Sequence, residues 1–153
     1  MPKLPLTGGC QCGALRYEIN AAPLMVYNCH CTNCQRISAS AFNMSMAVLR
    51  ETLTFTNGEP VRHEWDSGVG TRRYGLLCRT CGTRIAHGMV PEGPVNSLRA
   101  GTLDDPSWIS PVADIWTRSA HPWALDPENR LQYEKQPEDY GPIMQAFAAQ
   151  ANF

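Results

Sequence analysis

The seven cysteines of this chain fall into three tight clusters, and this spacing constrains the fold more than any other feature. The clusters are Cys10-x-Cys12, Cys29-x-Cys31-x-x-Cys34 and Cys78-x-x-Cys81-Gly82. No cysteine is isolated, whereas cysteines that only fill a core would be scattered along the chain. Thiolates two or three residues apart can reach one zinc ion about 2.3 Å away, so the spacing predicts metal binding.

A disulfide framework is the main alternative explanation of these cysteines. It is disfavoured because their number is odd and because the two ends of a C-x-C segment are awkward to bridge to each other. The residues before Cys10 lack the apolar region of a secretory signal, and no apolar stretch is long enough to span a bilayer. We therefore expect a reduced, cytoplasmic protein without a membrane partner, in which clustered cysteines bind metal.

The two outer clusters fit one closed structural zinc site. On an extended strand both side chains of a C-x-C segment lie on the same face, and a C-x-x-C turn can place two sulfurs on one ion. Two ligands from each of two distant segments are typical of structural zinc, which contributes on the order of 10 kcal/mol to folding. The predicted ligands are Cys10, Cys12, Cys78 and Cys81.

The middle cluster offers three thiolates from one short segment, namely Cys29, Cys31 and Cys34. It predicts a second zinc, whose fourth position is left for water or a substrate thiol. Alternation along an extended segment turns His30 away from its neighbours, so we expect His30 outside the ligand set. Zinc lowers the pKa of a bound thiol and can polarise a carbonyl. The sequence thus predicts two zinc ions per chain, of which the second is available for chemistry.

Length, charge and composition restrict the class of protein further. The chain of 153 residues has the size of a single domain, which we place at residues 1–153. Its net charge of −1 argues against a nucleic-acid partner, because such proteins usually present a basic face. The 12 glycines and 12 prolines indicate a turn-rich, β-rich chain.

Alternating apolar and polar residues predict strands through most of the chain. The predicted strands cover residues 15–19, 24–31, 41–49, 53–56, 61–65, 73–77, 84–89, 95–100 and 113–117. Asn57-Gly58 is a hairpin-turn signal after the fourth of these strands. We expect a short helical turn over residues 32–38 and a helix over 142–150, whereas the charged, proline-containing segment 126–140 should wrap the surface.

Several longer stretches match the sequence pattern of one known family. They are Gly8-Gly9-Cys10-Gln11-Cys12-Gly13-Ala14-Leu15-Arg16-Tyr17, Cys29-His30-Cys31-x-x-Cys34-Gln35-Arg36, Phe42, Cys78-x-x-Cys81-Gly82-Thr83, residues 100–106 and residues 115–123. On these residues the chain resembles the glutathione-dependent formaldehyde-activating enzyme family, which also includes centromere protein V. The resemblance covers roughly residues 8–136, and many members have glycine where this chain has Ala39.

The resemblance implies a mainly-β fold of coiled antiparallel sheets organised around zinc, with a core over about residues 8–136 and a short helical tail over 137–153. It also implies the same two zinc sites. The family's named activity joins glutathione to formaldehyde to give S-hydroxymethylglutathione, which is catalogued as carbon–sulfur lyase chemistry. The expected partner is therefore glutathione or another small thiol.

Two other functions stay open from the sequence, a non-catalytic zinc-stabilised binding module and a redox-sensitive thiol protein. An enzyme needs an open metal position that a small molecule can reach, whereas a binding module would close it with a fourth protein ligand. Glutathione is anionic, so its carboxylates would need arginines or backbone amides. The sequence does not rank the candidates, which are Arg36, Arg72, Arg73 and Arg99.

Overall fold

The computed structural model describes residues 3–68 and 70–151 and is mainly β, as predicted. The strands in these residues are β1 Leu6–Gly9, β2 Arg16–Ile19, β3 Met25–Cys29, β4 Asn43–Leu49, β5 Leu53–Asn57, β6 Val61–Asp66, β7 Arg72–Leu77, β8 Arg84–Val90, β9 Val95–Arg99, β10 Ala113–Ile115 and β11 Leu131–Tyr133. The α-helices are α1 Thr32–Ser38 and α2 Gly141–Ala151. The last two residues of the expected helical tail lie outside the described part. Neither described helix has the length and apolarity needed to cross a membrane.

The chain divides into two compact units. The first, which we call the helix-bearing unit, comprises Leu24–Met46 and Ile109–Phe153 and contains both α-helices. The second, the strand unit, comprises Pro2–Pro23 and Ala47–Trp108. The single domain expected over residues 1–153 stays a prediction.

The helix-bearing unit is built on parallel pairing around β10. Strand β10 pairs in parallel with β3 on one side and with β11 on the other. Because parallel strands bring their carboxyl ends to the same edge, Ile115 at the end of β10 lies beside Cys29 at the end of β3. Helix α2 packs on β3 through an apolar stripe in which Ile143 and Phe147 are buried.

The strand unit holds a three-stranded sheet in the order β1-β2-β5 and a run of strands in the order β9-β8-β7-β6. The pairings β1–β2, β2–β5, β6–β7, β7–β8 and β8–β9 are all antiparallel. Leu15, Tyr17 and Ile19 face its core in the alternation that the sequence predicts. Buried Tyr17 also hydrogen-bonds Thr102 through its hydroxyl at 2.9 Å.

The Asn57-Gly58 turn does not close a hairpin, so that prediction is wrong. Strand β5 pairs with β2, whereas β6 pairs with β7 in the other sheet. The turn residues are nevertheless required, because Gly58 has φ +70° and a Cβ there would lie 2.4 Å from the carbonyl oxygen of Ala14. The Asn57 side chain donates to the same oxygen at 3.1 Å. The turn therefore anchors the strand to the segment before β2.

Two short strands do not appear in the sequence prediction. Strand β1 contains Gly8 and Gly9, which have low strand propensity, and β11 lies in the segment 126–140 that we expected to wrap the surface. Gly8 pairs with Tyr17 so closely that a Cβ would meet the tyrosine hydroxyl at 2.3 Å. Tertiary pairing overrides propensity in both strands.

Ala39 ends α1 in the left-handed conformation, with φ 48° and ψ 41°. This conformation costs an L-residue about 1–2 kcal/mol, whereas glycine, which has no Cβ, adopts it readily. We expect Ala39→Gly to stabilise the protein by about 0.5–1 kcal/mol in urea unfolding, after the entropic cost of glycine is subtracted. Ser40→Gly, at the next position and without positive φ, is the control and should not stabilise the protein. Equal effects of the two changes would contradict the assignment.

Candidate metal centres

The strand unit brings four sulfur atoms within 4.8 Å of one another. They belong to Cys10, Cys12, Cys78 and Cys81, the residues that the sequence assigns to the structural site. Cys12 and Cys78 are 66 positions apart in the chain, yet their sulfurs are 3.8 Å apart. A metal at this site would therefore crosslink the segment after β1 to the segment after β7.

Two similar backbone loops present these four sulfurs. Gly13 donates its N–H to the Cys10 carbonyl at 3.0 Å, and Gly82 donates to the Cys78 carbonyl at 3.0 Å. Both glycines have positive φ, +78° and +75°, and a Cβ on either would meet no atom within 4 Å. Backbone conformation, not lack of space, therefore requires glycine at these two positions.

The sulfur–sulfur distances fit a tetrahedral metal site. Cys10 Sγ and Cys12 Sγ are 3.5 Å apart. A zinc ion with zinc–sulfur bonds of about 2.3 Å in tetrahedral geometry separates its sulfurs by about 3.8 Å. A disulfide would need about 2.05 Å, and none of the seven cysteines is disulfide-bonded in this structure. The site can thus hold a metal ion without rearrangement.

Hydrogen bonds favour the thiolate form that a metal requires. The Leu15 amide donates to Cys10 Sγ at 3.2 Å. Thr83 Oγ1 accepts a hydrogen bond from the Gln11 amide and lies 3.2 Å from Cys81 Sγ, so its hydroxyl can donate to that sulfur. Hydrogen bonding to Thr83 lowers the pKa of Cys81 to about 5.

The helix-bearing unit forms the second cluster from Cys29, Cys31 and Cys34. Strand β3 ends at Cys29, Cys31 is the N-cap of α1, and Cys34 lies in the first turn of that helix. Their sulfurs lie within 4.8 Å of one another, and no further cysteine, histidine or carboxylate of the described residues joins the group. Cys29 is buried, whereas Cys31 and Cys34 are partly exposed.

The surroundings shift the pKa values of Cys31 and Cys29 in opposite directions. Hydrogen bonding with Cys29 and Cys34 lowers the pKa of Cys31 to about 2. The Cys34 amide adds a hydrogen bond to Cys31 Sγ at 3.4 Å. Hydrogen bonding with the other two sulfurs, together with burial, raises the pKa of Cys29. A bound cation would favour the ionised form of all three thiols.

His30 lies between two of these cysteines in sequence but not in the sulfur group. Its fully buried imidazole bonds Asp114 through Nε2 at 3.0 Å and packs against the Phe42 ring. The sequence analysis missed Asp114, Gln35 and Ser119, which contact the His30 side chain or its carbonyl. Asp114 did give a signal, because it is a charged residue between apolar Ala113 and Ile115 in a predicted strand.

A mainly-β protein with two cysteine clusters, each able to hold a metal ion, is the class that this fold and these sites define. The family model described as "Glutathione-dependent formaldehyde-activating enzyme" matches residues 5–119, which is most of the chain. The chain belongs to this family.

Individual relatives agree with this membership. A Penicillium rubens protein named "Putative glutathione-dependent formaldehyde-activating enzyme" is 24% identical over 127 residues, 76% of this chain. The match spans 65% of that relative's length. A crystal structure of a Rhodobacter sphaeroides protein superposes with a TM-score of 0.53 at 15% identity, covering 84% of this chain and 99% of that one. This last similarity concerns the fold alone.

The two clusters should respond differently to loss of one sulfur. We expect Cys81→Ser to destabilise the strand unit by at least about 4 kcal/mol, because structural metal is coupled to folding. Cys34→Ser should lose one metal equivalent and keep a near-wild-type melting temperature. Elemental analysis and thermal melts of both variants measure this difference. A lower melting temperature for Cys34→Ser than for Cys81→Ser would reverse the two roles.

Proposed function

We propose that this protein is a zinc-dependent carbon–sulfur lyase that acts on adducts of a small thiol with an aldehyde, such as S-hydroxymethylglutathione. The observation that carries the proposal is the three-sulfur cluster, which has no fourth protein ligand among the described residues. Two of its three cysteines are partly exposed, so a small molecule can approach that side. The family match supports glutathione and formaldehyde as the substrate class.

The proposed roles of the two sites follow from their ligands. Four thiolates complete a tetrahedral zinc, so Cys10, Cys12, Cys78 and Cys81 leave it no open position and serve the fold. Three thiolates leave one position open, and zinc there would lower the pKa of a substrate thiol or polarise a carbonyl oxygen. Cysteines stay reduced and able to bind metal in a reducing compartment, and we propose a cytoplasmic location on that ground.

The reaction itself makes or breaks one carbon–sulfur bond. In the direction of synthesis the thiolate sulfur attacks the carbonyl carbon, and the carbonyl π electrons move to oxygen. That oxygen takes up a proton equivalent to the one that the thiol released. The reverse reaction returns the thiol and the aldehyde. Cys29, Cys31 and Cys34 would hold the ion, and of these ligands Cys31 and Cys34 are the ones that are partly exposed.

The structure narrows the choice of arginine for the carboxylates of glutathione. Arg72 lies 3.4 Å from Glu64, and Arg99 is only 9% exposed. Arg36, by contrast, is exposed and has no carboxylate within ion-pair distance among the described residues. We propose Arg36 together with Arg118, which the sequence analysis did not select and which stacks on the Trp116 ring at 4.7 Å.

Each of the two arginines is adjacent in sequence to a residue that hydrogen-bonds the cysteine segment. Arg36 follows Gln35, and Arg118 precedes Ser119. Gln35 and Ser119 both donate to the carbonyl of His30, the residue between Cys29 and Cys31. Two cations in the same unit match the two carboxylates of glutathione.

A titration with thiols separates the enzymatic proposal from a binding module or a redox protein. We expect calorimetry of the two-zinc protein to detect binding of glutathione, because a thiolate is a favoured ligand for an open zinc position. The variant Cys34→Ser, which should bind the second zinc more weakly, should show no heat of glutathione binding. Absence of binding by glutathione, other small thiols and formaldehyde would contradict the enzymatic proposal.

The arginine assignment predicts a loss of affinity that depends on the thiol. Arg36→Ala and Arg118→Ala should each weaken glutathione binding about 10-fold, the value of one charge-assisted hydrogen bond. Binding of 2-mercaptoethanol, which has no carboxylate, should stay within about twofold of wild type by the same argument. Arg72→Ala, which removes an exposed arginine of the strand unit, is the matched control and should change neither affinity. Equal losses for both thiols would contradict carboxylate recognition.

A further inference from the structure

A buried carboxylate lies behind the three-cysteine segment. Asp114 is completely buried in β10, where Asn28 Nδ2 and His30 Nε2 bond its Oδ1 at 3.1 and 3.0 Å. Arg130 Nε and Gln132 Nε2 donate to its Oδ2 at 2.8 and 2.9 Å. Three adjacent strands, β3, β10 and β11, contribute to this group, so it depends on the parallel pairing described above.

These bonds keep Asp114 ionised and orient His30. Burial alone would raise the pKa of this carboxyl, but hydrogen bonds from His30 and Arg130 hold it well below its usual range. A carboxylate accepts hydrogen bonds, so His30 carries its proton on Nε2. No described residue donates to the other ring nitrogen, Nδ1, which is also buried.

The backbone N–H and carbonyl of His30 are also hydrogen-bonded. Its N–H donates to the Ile115 carbonyl at 3.0 Å. Its carbonyl accepts from Gln35 Nε2 at 2.8 Å and from Ser119 Oγ at 3.0 Å. Gln35 Nε2 also donates to the Ser119 carbonyl at 2.8 Å, which ties α1 to the turn after β10. Ring and peptide groups are thus fixed together.

A strained residue places Ser119 in this arrangement. Trp116 has φ 62° and ψ 39°, a left-handed conformation that costs a residue with a side chain about 1–2 kcal/mol. It begins the 3-10 turn Thr117–Ser119, in which the Ser119 amide bonds the Trp116 carbonyl at 3.1 Å. Strain kept at one position is a sign that the surrounding geometry is needed.

We propose that Asp114 and His30 act as a positioning pair, which fixes the peptide between Cys29 and Cys31 so that both sulfurs face the same metal position. Alternation along the segment supports this role, because turning the His30 side chain to one side turns both neighbouring side chains to the other. Stability alone does not require the pair, since apolar residues of similar volume are often at least as stable as a buried ionic group. The inference depends on the metal proposed for the three-cysteine cluster.

Metal affinity measures the proposed role directly. We expect Asp114→Asn and His30→Ala to weaken zinc binding at the three-cysteine site by about 10- to 100-fold, as loss of groups that orient ligands usually does. Affinity at the four-cysteine site is the internal control and should not change. Chelator competition gives both affinities, and sulfur-to-cobalt charge-transfer bands of the cobalt-loaded protein report the sulfur geometry. His30→Gln, which keeps a side-chain donor, should restore most of the affinity.

A matched variant separates positioning from loss of stability. Ser45 is 1% exposed in the same unit and bonds Asn43, not the cysteine segment. Ser45→Ala should lower the melting temperature and leave the affinity of the three-cysteine site within about twofold, because the lost hydrogen bond is to Asn43 and not to the cysteine segment. Hydrogen exchange at the His30 amide of the metal-loaded protein should become at least tenfold faster in Asp114→Asn and stay unchanged in Ser45→Ala. Ser119→Ala, a milder change, gives the same readouts if Asp114→Asn does not fold.

The outcomes distinguish this inference from the proposed function. Unchanged zinc affinity and unchanged exchange in Asp114→Asn, or equal losses at both metal sites, would overturn the positioning role. The double variant Asp114→Asn/His30→Ala should be no weaker than the worse single variant, whereas additive losses would show that the two residues do not act as a pair. A two-zinc protein that binds no thiol would refute the lyase proposal and leave the positioning results standing.

Discussion

The close approach of sulfur atoms, which the backbone brings together in two clusters, is the constraint on which both candidate sites depend. Cys10 Sγ and Cys12 Sγ are 3.5 Å apart, and Cys12 Sγ and Cys78 Sγ are 3.8 Å apart. The sulfurs of the second cluster lie within 4.8 Å of one another. Thiolates at such distances are stable only beside a cation, because like charges in a partly buried site repel strongly. Hydrogen bonding among the sulfurs lowers the pKa of Cys31 to about 2 and, together with burial, raises the pKa of Cys29. Metal binding at each site would therefore favour the folded chain.

The two clusters use different scaffolds, and this difference parallels their proposed roles. In the four-sulfur cluster each pair of sulfurs is presented by a glycine loop with positive φ, and folding brings the two loops together across 66 positions. The three-sulfur cluster rests on a strand, a helix start and the buried Asp114, which require pairing between distant parts of the chain. A site that only stabilises can tolerate local variation in shape. A site that must keep one side open for substrate requires fixed sulfur directions, because catalysis depends on positioning.

Family membership and activity rest on different evidence. The family model covers residues 5–119, whereas the match to the Penicillium rubens relative spans 65% of that protein. Fold alone does not determine chemistry, so the lyase proposal depends on the three-sulfur cluster and its exposed side. The clustering of Gln35 and Ser119 at the carbonyl of His30 connects that cluster to two exposed arginines, which is where substrate selection would occur.

The sequence by itself determined the groups of sulfur atoms, most strands and helix α2, because cysteine spacing and hydrophobic periodicity are local patterns. Tertiary structure alone decided that Asp114 meets Asn28 across 86 positions and that Ser119 meets His30 across 89. It also decided that β5 and β6 belong to different sheets and that the glycine-containing β1 and polar β11 become strands. Local sequence patterns do not predict such pairings. A buried carboxylate is stabilised by partners that folding brings from distant segments. Short strands are stabilised by the strands beside them more than by their own residues.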